Sequence, residues 1–562
     1  MSSSRRRNVV PGVRKVDEDP ADKVVALRGA ARAVLGAVHP AVQGQLGSAR
    51  LLSAVRYAEA PLLKADRLVL IDQALVLLEQ NYVHLPLKQA MHAVRPVQRL
   101  KLLRQRTEAM ADEDQGGAWS FHQEMLSIFT SVRDLHTNYI LPDPFQRMTA
   151  FLPFLVEGFV EGGEWRYLVG HVVGGFDRPP FAQGVEITSW NGIRIERAVL
   201  LNADRFAGSN LEARRARGIE RLTVRPLITS MPPDEDWVIV GFRTADGAEH
   251  ELRVDWLVLD DQEVEGLMGV ESRSLELAAG LGVDIDAKAA SQARKILYAP
   301  EAVAAEARIA AGRRPGRSVS PLESRRPEMT ADVLDTPDGR LGYLRIWTFA
   351  PGIPGESFEA FLDGFVGEAA RLLGALPDDG LILDVRGNGG GVIGAGERLL
   401  QLLTPKPIEP ERLQFINSAL NLEICRRSGP GSGLDLSSWA PSIEQAVQTG
   451  AIWSRAFEVT SADEANRLGQ HYCGPVVLIT DARCYSTTDI FAAGFQDHGI
   501  GPVLGVDRNT GAGGANVWDH GLLSFLMQGR PENPYRPLPQ GVRMRVAIRR
   551  NLRVGPAAGT PL

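Results

Sequence analysis

The chain has few cysteines, no long apolar runs and no excess of charge of one sign. Its three cysteines, Cys425, Cys473 and Cys484, are not at metal-ligand spacing, and an odd number leaves at least one thiol unpaired. That excludes a disulfide-stapled scaffold and suits a reducing compartment. No run of about 18 apolar residues occurs, so no spanning helix is expected. The basic start MSSSRRRNVV is followed by Arg14, Lys15, Asp17, Glu18 and Asp19. A secretory signal needs about 7–15 apolar residues there. The expectation is a soluble cytoplasmic protein, with leaderless export left open. The 62 Lys and Arg against 68 Asp and Glu give a net charge of -6. Nothing in that balance asks for nucleic acid or an acidic membrane as partner. Lysine is also absent after Lys406.

At roughly 100–200 residues per domain, 562 residues predict three or four domains. Residues 1–149 form a helical region: RLVLIDQALVLLEQNYVHL carries apolar residues at three- and four-residue spacing, and the pattern breaks at Pro142 and Pro144. Residues 150–257 turn to short strands such as EWRYLVGHVV, WVIVGFRT and HELRVDWLVL, which predicts a small β module. Residues 258–330 hold an acidic patch, an alanine-rich helical stretch and the linker RRPGRSVSPLESRRPE, whose Pro, Gly, Ser and Arg content predicts exposure. From 331 to 562 strands and helices alternate, which indicates an α/β domain. Within it, SFEAFLDGFVGEAARLLGAL reads as a helix with Phe358, Phe361 and Phe365 on one face.

Three segments carry candidate chemistry. In LILDVRGNGGGVIGAG a strand runs into Gly389, Gly390 and Gly391 before a helix. Glycines there let backbone N–H groups approach a ligand closely. The segment supports an oxyanion hole, a plain strand-to-helix turn, or a dinucleotide site in which Gly389, Gly391 and Gly394 match G-x-G-x-x-G with Glu409 about twenty residues on. In GPVVLITDARCYSTTDIFAAGFQDHG a strand ends near Thr480 and a helix begins near Ser486. Ser486 stands in the positive field of the helix N-terminus and needs a base to become nucleophilic. Ser486-Thr487-Thr488-Asp489 equally fits a helix cap. Cys484 is a better intrinsic nucleophile but of a kind usually inert when buried. In RDLHTNYILP, His136 follows a helix and precedes an extended run.

Together these segments resemble the C-terminal-processing, or tail-specific, serine peptidases. LDVRGNGGG resembles their D-x-R-x-N-x-G-G signature. The stretch from Ser486 through IFAAGFQDHGIGPVLG resembles their nucleophile helix, Gln-Asp turn and following strand. Most members pair the serine with a lysine in a T-x-G-K-like turn. Here that turn reads NTGAGG, residues 509–514, and holds no lysine. Asp134-Leu135-His136-Thr137 instead resembles the D-x-H motif of the histidine-using branch, which includes the tricorn core protease and the secreted chlamydial protease. EITSWNGIRI, residues 186–195, resembles the hairpin of the family's PDZ-like module, with VVGGF (172–176) as its peptide loop, although Asn-Gly alone also marks an ordinary hairpin turn. The helical stretch NADRFAGSNLEARRARGIERLT interrupts that module.

The resemblance implies an α/β multidomain fold with a crotonase-like catalytic core, an N-terminal helical region and a PDZ-like β insert. It implies a serine endopeptidase acting on peptides or unfolded proteins, with Ser486 as nucleophile, His136 as general base, and the backbone N–H groups of Gly390, Thr487 or Gly389 as oxyanion hole. No metal or organic cofactor is implied, and a homo-oligomer is compatible with the sequence. The other readings are a non-catalytic peptide-binding protein on the same fold and a dinucleotide-dependent enzyme. The linker at 312–328 is expected to be exposed and, by the same resemblance, self-cleaved. Relatives supply the acid that orients the histidine from a segment well after the nucleophile. This chain offers only Asp489, Asp497, Asp507, Asp519 and Glu532 there, so the expectation is a chain cut short after Leu562, with Asp134 or Glu532 as the alternative acid.

Overall fold

A computed structural model describes residues 49–54, 62–112, 117–260, 283–299, 320–353, 355–430 and 434–562, and among these described residues four sheets organise the fold. The sheet that carries the site is built by the alternating pattern after residue 329. Its order is Met329–Thr336, Gly339–Ile346, Leu381–Asp384, Val476–Thr480, Val503–Gly505; the first pair is antiparallel and the rest run parallel. Leu381, Leu383, Val476 and Leu478, which share one face of the sheet, are almost wholly buried, while Ile382, Val477 and Ile479 on the other face are partly buried. Helix Phe358–Leu373 is opened by Ser357, whose Oγ accepts the Ala360 N–H, and it buries Phe361 and Phe365 under the sheet. Each such ring contributes roughly 1.5–3 kcal/mol. Phe358 departs from expectation: it lies in the first turn and is 53% exposed, off the buried face.

A second sheet, antiparallel, has the order Phe457–Glu458, Arg412–Phe415, Arg543–Leu552, Ala515–Asp519. Onto Arg543–Leu552 is added a strand from far away in sequence, Asn138–Ile140, with Asn138 opposite Arg545 and Tyr139 opposite Met544. The N-terminal helices Lys64–Val76, Pro96–Glu108 and Ala118–Ser131 pack into one core with this sheet, which includes Leu70, Tyr82, Phe129, Phe415, Trp518 and Val546. Packing therefore does not divide at residues 149 and 331: the N-terminal region and the second sheet bury each other.

The β module is a sheet in the order Glu249–Asp255, Trp237–Arg243, Glu186–Trp190, Glu164–Val172, Phe154–Glu161. Its hairpin turns at Asn191 and Gly192, with φ of +48° and +80°, the conformation that Asn-Gly favours. Helix Leu211–Glu220 lies where extra helix was expected, and helix Ile195–Ala203 precedes it. A short fourth sheet (Arg50–Leu51, Leu257–Asp260, Met148–Phe151, Val224–Pro226) joins the module to the chain on either side.

Of the alanine-rich stretch, Ile285–Tyr298 is helical, capped by Asp284. The expected exposure of 312–328 holds only in part. Residues 312–319 lie outside the described residues. Arg326 is 6% exposed and pairs with Glu328 at 3.0 Å and Glu356 at 2.6 Å, so this end of the linker is anchored in the protein. Buried Glu328, half-buried Glu356 and the guanidinium between them cannot be left in solvent-like mobility without losing those contacts. Among the described residues no helix is long and apolar enough to cross a membrane.

Candidate active site

The glycine turn is held by the residues that precede it. Asp384, wholly buried at the end of its strand, accepts from Arg386 at 2.7 Å and Tyr343 at 2.9 Å and pairs with Arg345. Burial pushes its carboxyl up, but the two guanidiniums and the Arg386 N–H outweigh that and hold it below the usual range. Asn388, also wholly buried, donates to Ile346 O at 3.2 Å and accepts the Gly390 N–H at 2.9 Å. Gly390 and Gly391 have φ of +95° and +149°. A Cβ on Gly390 would lie 2.5 Å from the Ser486 Cβ and 2.9 Å from the Thr487 nitrogen; one on Gly391 would strike the Phe349 backbone. Protein atoms thus crowd the Cβ positions of Gly390 and Gly391, and Glu409 lies exposed in a loop.

Ser486 follows strand Val476–Thr480 and stands at the head of helix Thr487–Asp497. The intervening loop is braced against the glycine turn. Asp481 accepts from Gly387 N–H at 2.8 Å and Arg483 N–H at 3.0 Å, and Tyr485 N–H donates to Asn388 O at 3.1 Å. Ser486 itself has φ +58° and ψ -125°, an unusual conformation for a residue with a side chain, and its hydroxyl makes no capping hydrogen bond. The capping alternative therefore fails at the side chain, although Ser486 occupies the cap position. Thr487 Oγ1 donates to Gly391 O at 2.8 Å, which ties the helix start to the glycine turn. Cys484 is buried with its thiol donating to Val385 O at 3.1 Å, and burial pushes its pKa well up, as expected of an inert cysteine.

His136 is brought in by the strand added to the second sheet. Asp134 Oδ1 accepts the His136 N–H at 2.9 Å and closes the turn after helix Ala118–Ser131. Arg545, wholly buried, donates to Leu135 O at 2.9 Å and to Asn138 Oδ1 at 2.6 Å, which clamps the histidine between two fixed points. The Tyr485 ring then lies against the His136 ring with centroids 4.5 Å apart, and its hydroxyl donates to Asp134 Oδ1 at 3.2 Å. Asp134 Oδ2 accepts from Tyr82 at 2.9 Å. Burial works against the Asp134 charge, but His84, Lys88, His136 and the backbone N–H outweigh it and bring the pKa down to about 2.

The structure thus places the residue before Ser486 directly on His136, and the glycine turn directly on Ser486. Of the three expected oxyanion donors, Gly390 spends its N–H on Asn388. Gly389 and Thr487 have no N–H partner among the described residues. The Gly389 carbonyl accepts the Asp284 N–H at 3.2 Å, so the start of helix Ile285–Tyr298 sits on the turn. Glu532 is exposed in its loop, and Asp489 is buried against Thr510. The bracing roles of Asn388, Asp481, Tyr485 and Arg545 are not evident from sequence. Only the Asp134-x-His136 spacing signalled a local carboxylate-to-backbone contact.

Residues 340–520 match the model of peptidase family S41. No curated protein matches the chain in sequence. Among solved structures, mature CPAF is similar in fold at a TM-score of 0.58 and 14% identity, covering 89% of this chain and 92% of that chain. Mature CPAF complexed with lactacystin is similar at a TM-score of 0.56 and 15% identity, covering 89% and 93%. The matched segment holds the glycine turn and Ser486, while His136 lies outside it. Residues 340–520, and with them the glycine turn and Ser486, are thus the part of this chain that is similar to peptidase family S41.

Proposed function

We propose that the chain is an endopeptidase in which Ser486 Oγ attacks the substrate carbonyl and His136 takes the hydroxyl proton. The carbonyl π electrons move onto oxygen, and that oxyanion is held by the N–H groups of Thr487 and Gly389. Gly390, whose N–H is committed to Asn388, serves instead by letting Ser486 approach the turn. The intermediate collapses with loss of the amine, which takes the proton from His136, and water repeats the sequence on the acyl-enzyme. Asp134 steadies the base through its backbone, since its Oδ1 takes the His136 N–H.

The observation that carries this reading is Tyr485, which abuts Ser486 in sequence and His136 in space. The strained backbone and uncapped hydroxyl of Ser486 support it. Ser486 and His136 are 1% and 0% exposed, so a substrate reaches them only when their surroundings move. The parallel sheet with its flanking helices fits a crotonase-like core. The β module fits a PDZ-like unit that takes an extended peptide by strand addition.

A fluorophosphonate probe followed by peptide mass mapping tests the assignment. Wild-type protein is expected to carry the adduct on Ser486, and Ser486→Ala none. His136→Ala is expected to lose roughly 10⁴-fold in rate. Wild-type protein that stays unlabelled, or a His136→Ala variant labelled at the wild-type rate, refutes the pair.

A further inference from the structure

We infer that Tyr485 is the positioning residue that sets His136 against Ser486, and that the Gly511–Gly514 turn exists here to seat its ring. This rests on the Ser486–His136 reading above and adds a residue and a turn to it. Tyr485 is wholly buried and touches every segment of the site. Its N–H donates to Asn388 O, which anchors it to the glycine turn. Its ring lies against the His136 ring at 4.5 Å, tilted by 42°. Its hydroxyl donates to Asp134 Oδ1, the same oxygen that accepts the His136 N–H. A single side chain therefore holds the base by its ring face and by the carboxylate that fixes its backbone, while the next residue in the chain is the nucleophile.

The floor beneath that ring is the turn 509–514. A Cβ on Gly513, whose φ is +107°, would fall 2.2 Å from Tyr485 Cε2 and 2.4 Å from Cζ. A Cβ on Gly511 would fall 3.4 Å from Cδ2 and 2.9 Å from the Cys484 carbonyl. The Gly511 N–H donates to Cys484 O at 2.7 Å, so the turn is locked to the residue preceding Tyr485. No side chain fits between this turn and the tyrosine. The glycines at 511 and 513, in a turn with no lysine, are thus explained by the ring they support, not by any chemistry of their own.

The arrangement matters for rate because a displacement of about 1 Å at a reacting group costs on the order of 100-fold. Without its hydroxyl, the Tyr485 ring loses its tether to Asp134 but keeps its bulk. Without room at Gly513, the ring itself must shift from its place against His136. The two perturbations act on the same geometry by different routes.

The test measures fluorophosphonate inactivation of the full chain, separated into the maximal rate and the half-saturating probe concentration, each normalised to titrated active sites. Tyr485→Phe is expected to lower the maximal rate roughly 10- to 100-fold with the half-saturating concentration unchanged and the melting temperature nearly so. Gly513→Ala is expected to lower the maximal rate at least as much. A merely structural tyrosine would instead reduce the fraction of active sites and leave the maximal rate per site untouched, and that outcome overturns the inference. His136→Ala run alongside separates the two levels. A slow His136→Ala with a fast Tyr485→Phe overturns the clamp and keeps the catalytic pair; a fast His136→Ala overturns the pair and the clamp with it. Should Gly513→Ala fail to fold, Tyr485→Phe, which removes one oxygen and adds nothing, decides alone.

Discussion

Replacing Gly390 by alanine puts the packing of the glycine turn on Ser486 to a quantitative test. Two costs add. The backbone at φ +95° is one that side chains rarely adopt, which costs on the order of 1–3 kcal/mol. The new methyl also falls 2.5 Å from Ser486 Cβ, 2.7 Å from Tyr485 O and 2.9 Å from Thr487 N, and two of those three are backbone atoms that cannot swing aside. Overpacking of that kind costs roughly another 1–3 kcal/mol. The expected loss is therefore about 2–6 kcal/mol, against a total of about 5–15 kcal/mol for a typical domain. Gly387→Ala is the matched control. Its φ is +68°, but its nearest neighbours are the Arg483 guanidinium atoms at 3.8 Å, so only the backbone strain of about 1–2 kcal/mol applies. Urea unfolding of both variants gives the difference, and fluorophosphonate labelling gives the consequence at Ser486. Gly390→Ala is expected to be less stable than Gly387→Ala by at least about 1 kcal/mol and to label on the order of 100-fold more slowly. Equal stability of the two variants, with equal labelling, would refute the placement of Ser486 on the turn.

Burial pushes Glu397 up to about 7, relieved in part by Thr460 and the Glu411 N–H, so the folded chain binds a proton there that the unfolded chain releases near its ordinary pKa of 4.5. Stability should therefore fall as pH rises from about 4.5 to about 7, and Glu397→Gln should gain on wild type across that window; urea midpoints of the pair at pH 5 and pH 8 that run parallel would sink this. Asp134 has the opposite sign: held at about 2 against an ordinary 3.8, it contributes stability above 3.8 that is lost as pH falls through 2. Acid unfolding of Asp134→Asn should accordingly be shallower than that of wild type between about pH 4 and pH 2, and superimposable curves would count against it. Iodoacetamide on the folded protein should modify exposed Cys473 and spare Cys425 and Cys484, whose thiols burial pushes up; peptide mapping that finds Cys484 alkylated first would contradict its burial.

How much of this site could be read without coordinates depended on whether a feature is made by neighbours in sequence or by neighbours in space. The turn after Leu381–Asp384, the hairpin at Asn191-Gly192 and the helix after Ser486 are local, and strand, turn and cap chemistry announce them. Ser486 shows where that stops. Ser-Thr-Thr-Asp is a good cap by local rules, and the position is a cap position. What takes the hydroxyl out of that role is φ +58°, imposed by Asn388 and Gly390, about a hundred residues earlier. The face of helix Phe358–Leu373 was legible except at its first residue, where the helix begins before it reaches the sheet.

The placement of His136 against Tyr485, the residue before Ser486, was the least legible feature and the most consequential. It depends on the three residues Asn138–Ile140 pairing with Arg543–Leu552 through backbone hydrogen bonds, which carry almost no sequence signature. It depends also on Arg545, which reaches Leu135 O across 410 residues, and on Tyr485, which reaches Asp134 across 351. None of these residues is of a type that suggests catalysis, and in another setting a buried arginine or tyrosine would be ordinary core. The histidine can be supplied from a region outside the matched segment because the second sheet and the N-terminal helices share one core. His136 is therefore only as well placed as that core is rigid, and perturbing the core far from Ser486 should move His136 before it unfolds the parallel sheet that carries Ser486.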